Sequence, residues 1–135
     1  MKHSKRILSV ILVFVLCFAL AISASAVTMT VRQSVSLKAA DESVSSNPYG
    51  GYYGQGKVTN NSGSAQNVYC ELQYSTGSGW KIETTLTAAP GKSTTSNIWH
   101  GSYDQLWKIK VAPAPVPLMG YPGCIATGIV YTGAK

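Results

Sequence analysis

Alternation is the feature that most limits how this chain can fold. Val68, Cys70, Leu72 and Tyr74 alternate with Tyr69, Glu71 and Gln73, and Trp80, Ile82 and Leu86 alternate with Lys81, Glu83 and Thr85. A period of two marks a strand with one buried face, because successive side chains point to opposite sides of a sheet. Ser-Thr-Gly-Ser-Gly stands between the two runs at 75–79, so a hairpin is expected over 68–86. A symmetric five-residue turn pairs Tyr74 with Trp80, Leu72 with Ile82 and Cys70 with Thr84, which puts every large apolar residue on one face. The same register sets Glu71 opposite Glu83 on the solvent face. Facing like charges disfavour each other slightly, and Lys81 lies diagonal to Glu71 as partial relief.

The pattern recurs along the chain. Strands are expected over 28–37, 51–60, 67–74, 80–87, 93–99, 105–111 and 124–131. The breaks between them carry turn chemistry: Asn-Asn-Ser-Gly at 60–63, Ala-Pro-Gly at 89–91 and Gly-Ser-Tyr-Asp at 101–104. Helical periodicity is missing over any ten residues beyond 26. The expected fold is all-β, a small antiparallel β-sandwich of about seven short strands. The polar stretch 39–50 reads as a flexible loop or linker. Ala-Pro-Ala-Pro-Val-Pro-Leu at 112–118 reads as a stiff crossover, because alternate prolines keep a chain extended and remove ladder donors. The last run is apolar on both faces, with Cys124, Ala126 and Val130 on one and Ile125, Ile129 and Tyr131 on the other. It calls for a central, covered strand or for a face presented to another subunit.

Residues 1–26 fix where this domain is expected to work. Lys2, His3, Lys5 and Arg6 precede an apolar run over 7–22, and Ala24-Ser25-Ala26 supplies a small-x-small cleavage pattern. The 16-residue run is shorter than the roughly 20 residues that span a bilayer. A signal peptide cut after Ala26 is therefore expected, leaving a single secreted, extracellular domain over 27–135. Two cysteines remain in it, Cys70 and Cys124, and in an oxidising compartment they are expected to form one disulfide. A link across that separation is worth roughly 4 kcal/mol through loop entropy.

Charge and motifs narrow the function classes. Eight Lys or Arg and five Asp or Glu remain after residue 26, and the basic residues are spread singly. Nucleic-acid binding calls for a concentrated basic face, so no nucleic-acid partner is expected. Only His100 remains as histidine, and none of the common hydrolase or metalloprotease motifs occurs. A metal site built from Cys70, Cys124 and His100 lacks the usual ligand pairs. No catalytic residue, metal or cofactor is expected. Ala-Pro-Gly-Lys-Ser at 89–93 is a turn into a strand and lacks the first glycine of a P-loop. Asn60-Asn-Ser62 fits a glycosylation sequon.

Aromatic residues give the main hint of a ligand surface. Tyr52 and Tyr53 lie in a glycine-rich segment, and Trp99 and Tyr103 flank a turn. Exposed Tyr and Trp rings stack on sugar faces or anchor protein contacts, being large, rigid and polar at one tip. Trp80 and Trp107 are expected in the core. The leading expectation is a non-catalytic binding module at a cell surface or extracellular matrix, its partner a surface polymer, glycan or protein. Two others stand behind it: a secreted effector active against microbes or membranes, and a glycan hydrolase using Glu71 and Glu83.

Overall fold

The computed structural model describes residues 26–115 and 123–135. The expected signal sequence lies outside the described residues except for Ala26, as does the crossover beyond Pro115. The chain is all-β, and no helix occurs among the described residues. Among the described residues eight strands follow one another: β1 (Thr30–Leu37), β2 (Val44–Ser45), β3 (Tyr49–Asn60), β4 (Val68–Ser75), β5 (Trp80–Ala88), β6 (Ser93–Thr95), β7 (Trp99–Pro113) and β8 (Ala126–Gly133). All pairings are antiparallel, in the order β1-β8-β3-β7-β4-β5, with β2 added to β7 and β6 to β3.

Instead of two separate sheets of about seven strands, the described residues form one hydrogen-bonded sheet of eight. The cause lies in β7, which runs from Trp99 to Pro113 through the stretch expected to be a turn. It pairs with β3 in its first half and with β4 in its second, so it joins what would otherwise be separate sheets. β8 lies inside the sheet, between β1 and β3, but only one of its two apolar faces is covered: Ile129 and Tyr131 are half-buried, and Ile125 just before the strand is exposed. Its Ala126, Gly128, Val130 and Thr132 are buried.

The sheet curls so that β7 and β4 face β3 and β8 across a core. That core holds Val35, Leu37, Val58, Val68, Leu72, Trp107, Ile109, Val111 and Val130. Trp107 is wholly buried and its indole N–H donates to Gly51 O at 2.9 Å. A methyl group at Gly54 would overlap the Trp107 ring, and one at Gly128 would lie 2.5 Å from Val111 Cγ2. The glycine-rich start of β3 is therefore partly the seat of one tryptophan. Removing roughly 150–250 Å² of aromatic surface from water contributes about 4–6 kcal/mol to folding before entropy is counted.

The segment 39–50 carries β2, and its mooring is specific. Ser46 N donates to Ile109 O at 3.0 Å, and Ser46 Oγ accepts from Ile109 N at 3.1 Å. Asn47 N donates to Gln33 Oε1 at 2.7 Å. Asn60 does similar work at the end of β3. Its Nδ2 donates to Gln66 O and to Ala88 O, both at 2.9 Å, and the residue is 1% exposed. The sequon at this position thus presents a nitrogen that is buried and already committed to two carbonyls.

Cys70 and Cys124 are both free and buried, so the expected disulfide is not formed. Cys70 faces the core from inside β4, between Leu86 and Val111. Cys124 lies just before β8, and its Sγ contacts Gln66 O at 3.6 Å, beyond the start of β4. Desolvation, and secondarily the Glu71 charge, push the Cys70 thiol up from 9.0 to about 12. It stays protonated at neutral pH and packs as a small apolar group.

Candidate functional site

Two breaks in strand regularity build one site. The first is in β5. Near the open ends of the hairpin Leu72 pairs with Thr84 and Cys70 with Leu86, but nearer the turn Gln73 pairs with Ile82 and Ser75 with Trp80. Glu83 is the extra residue, a β-bulge that swings the rest of β5 to the opposite face. The turn itself uses Gly77 and Gly79 at φ 104° and 115°, a region that other residues rarely adopt. This register overturns the symmetric one. Glu71 faces Thr85, not Glu83, and accepts from Gln73 Nε2 at 2.6 Å. Trp80 and Ile82 move from the expected core to the surface, 39% and 56% exposed. The carboxylate pair behind the hydrolase expectation is therefore not assembled.

The second break is in β7. Tyr53 pairs with His100 and Gly51 with Gln105, so the single residue Tyr52 on β3 is opposed by four on β7, 101–104. The bulged segment stands out from the sheet while Gln105 tucks beneath it. Gly101 is buried, and a Cβ there would lie 2.7 Å from Gln105 Oε1 and 2.8 Å from Tyr103 O. Glycine at 101 is thus required for the segment to fold over the Gln105 amide.

The two bulges open onto the same cleft, of about 340 Å³, lined by Tyr74, Thr76, Lys81, Glu83, His100, Gly101, Tyr103 and Gln105. Its walls offer an ammonium, a carboxylate, an imidazole, an amide and hydroxyl groups, set among aromatic rings. Such a mixture satisfies a polar, hydroxyl-bearing ligand from several directions. The bulge in β5 is what brings Lys81 opposite Tyr74 and Glu83 to the cleft wall. Three or more His, Cys, Asp or Glu side chains do not gather anywhere among the described residues.

Beside the cleft, Tyr52 and Tyr53 meet edge to face with ring centres 5.0 Å apart. Tyr52 also lies nearly parallel to the His100 ring, 6.4 Å away, with Lys135 Nζ 5.4 Å from its centre. His100 therefore links the tyrosine pair to the cleft. Tyr103, 56% exposed, stands on the bulged segment of β7. Trp99 is placed otherwise. It is half-buried, packs against the core, and its indole N–H is buried, so its ring is not a free platform.

Three of the four aromatic residues singled out in the sequence, Tyr52, Tyr53 and Tyr103, thus gather at one end of the sheet around His100. Lys81, Gln105 and Tyr74 join them without any signal in the sequence, since alternation alone places Lys81 on the solvent side of a regular hairpin; Glu83, singled out only as the partner of Glu71, lines the cleft without it. The chain matches no protein-family model, no curated protein and no solved structure.

Proposed function

We propose that this chain is a non-catalytic binding module that works outside the cell, at a cell surface or extracellular matrix, and holds a glycan at the irregular end of its sheet. The observation that carries this reading is the convergence of two bulges and the Tyr52–Tyr53–His100 cluster on one polar cleft. Bulges re-aim side chains next to binding and active sites. Tyrosine rings beside Lys, Glu, Gln and His groups suit the alternating apolar faces and hydroxyl edges of a sugar.

Retention of the purified 27–135 domain on insoluble cell-wall polymer tests the proposal. Tyr52→Ala with Tyr103→Ala should reduce the retained fraction to the level of an unrelated protein. A soluble oligosaccharide of the same polymer should compete the parent protein off. Undiminished retention in the double variant, with unfolding unchanged, contradicts the assignment of this end.

A further inference from the structure

The order β1-β8-β3-β7-β4-β5 reads the same from either edge when β1 is exchanged with β5, β3 with β7 and β4 with β8. The short strands obey the same exchange, since β2 pairs with β7 and β6 with β3. Each half, β1–β4 or β5–β8, therefore gives its last strand to the other: β4 lies between β5 and β7, and β8 between β1 and β3. Side chains repeat the pattern. Ser46 N donates to Ile109 O at 3.0 Å, while Ser46 Oγ accepts from Ile109 N at 3.1 Å and donates to Asn47 O at 2.9 Å. Ser96 does the same with Gly56 O, Gly56 N and Asn97 O, at 2.8, 3.0 and 2.7 Å. Ser-Asn-x-aromatic-x-Gly stands at both places, 46–51 and 96–101. The bulge in β5 also has its twin, because Arg32 is the extra residue in β1 as Glu83 is in β5. A bulge and a set of serine bonds shared at matching points mark a repeated unit.

The halves differ in one length. Gly56 stands 10 positions after Ser46, but Ile109 stands 13 after Ser96. The three extra residues fall in the break of β7, where Gly51 pairs with Gln105 and Tyr53 with His100. Without 102–104, Gly101 would face Tyr52 and the β3–β7 ladder would run unbroken from Tyr49 to Gly54. We infer that the chain is one four-strand unit duplicated in tandem, and that its ligand cleft belongs to the second copy alone, opened by the insertion of 102–104. The choice of ligand rests on the glycan reading above, whereas the duplication does not. Lys81, Glu83, His100 and Gln105 of the cleft correspond to Thr30, Arg32, Gly50 and Tyr52 in the first half. The matching place in the first half is filled. Arg32 is spent there, its Nε donating to Thr132 Oγ1 at 2.7 Å, and Gly51 lies so close to Thr132 that a methyl group would not fit. Tyr103, on the insertion, has no counterpart.

Deleting 102–104 from the 27–135 domain tests this. The first half already follows the shorter path, so the variant should fold with its melting temperature within about 10 °C of the parent's. Amide exchange across 51–53 and 100–105 should slow as the ladder closes. Retention on insoluble cell-wall polymer should fall to the level of an unrelated protein. Arg32→Ala should keep full retention, and soluble oligosaccharide of the same polymer should bind the parent at one per chain. A deletion variant that does not fold, melts lower than that, or shows no slowing of exchange overturns the duplication. One that folds and is retained like the parent overturns the role of the insertion. A second equivalent oligosaccharide site, or lost retention in Arg32→Ala at equal folded fraction, overturns the restriction of the cleft to one half. If the parent itself is not retained, the glycan reading falls and takes the assignment of the cleft with it, while the folding of the deletion variant still decides the duplication.

Discussion

The two ends of the sheet are built on opposite plans. At the end marked by Asn60, Ser64 and the start of β8, backbone groups are tied by buried side chains. Asn60 holds two carbonyls, and Ser64 Oγ donates to Ile125 O and accepts from Ile125 N, both at 2.9 Å. At the end marked by Tyr52, Tyr103 and the β4–β5 turn, β5 and β7 break register and leave a polar cleft open. One end uses its polar groups to close the fold, and the other leaves them available. A domain with one closed rim and one irregular, open rim has the layout of a scaffold that presents a site.

Substitutions sharpen this contrast. The largest effect is expected in the body that both ends share. Trp107→Ala should cost about 3–5 kcal/mol in denaturant unfolding. In its presence Gly54→Ala should be nearly silent, although alone it should destabilise by about 1–3 kcal/mol, because the methyl group then has room. At the closed end, Asn60→Ala strands two buried carbonyls and should cost about 2–4 kcal/mol with glycan retention unchanged. A loss of retention at equal folded fraction would erase the distinction between the ends.

The buried thiol supplies a pH signature of the body. Cys70 is raised from 9.0 to about 12 by burial, so the unfolded chain releases this proton first. Stability from this group is fully present below pH 9 and falls as pH rises toward 12. Thermal unfolding across that window should show a flatter profile for Cys70→Ala than for the parent. At the open end the expected stability effects are smallest. Tyr52→Ala and Tyr103→Ala should each shift unfolding by about 0.5 kcal/mol or less, yet Tyr103→Ala alone should measurably weaken ligand retention.

The alternation of Val68 to Tyr74 and of the last strand was enough to read the antiparallel, all-β character, whereas of the two apolar faces of β8 only one is buried. Tyr52, Tyr53 and Tyr103 were legible as surface aromatics of the candidate site because large aromatics beside glycines and turns are hard to bury completely. The hairpin register was not legible. A bulge at Glu83 costs the local pattern a single residue, and Trp80 and Ile82 then alternate as convincingly outward as inward. Nor was the course of β7. Gly-Ser-Tyr-Asp at 101–104 has turn chemistry, but pairing on both sides of it keeps the strand continuous. Cys70 and Cys124 count as a pair by composition, whereas in the fold both thiols are buried and free. Trp99 reads like Tyr103 in the sequence, and its burial depends on how β7 leans on the core.

Amide chemical-shift mapping of the labelled 27–135 domain, titrated with soluble cell-wall oligosaccharide, tests the central claim most directly. The account predicts saturable shifts concentrated at Tyr52, Tyr53, Lys81, Glu83, His100, Tyr103 and Gln105, with Asn60, Ser64 and Ala126 unmoved. Saturable shifts centred on Asn60 and Ser64, with the open end silent, would contradict it.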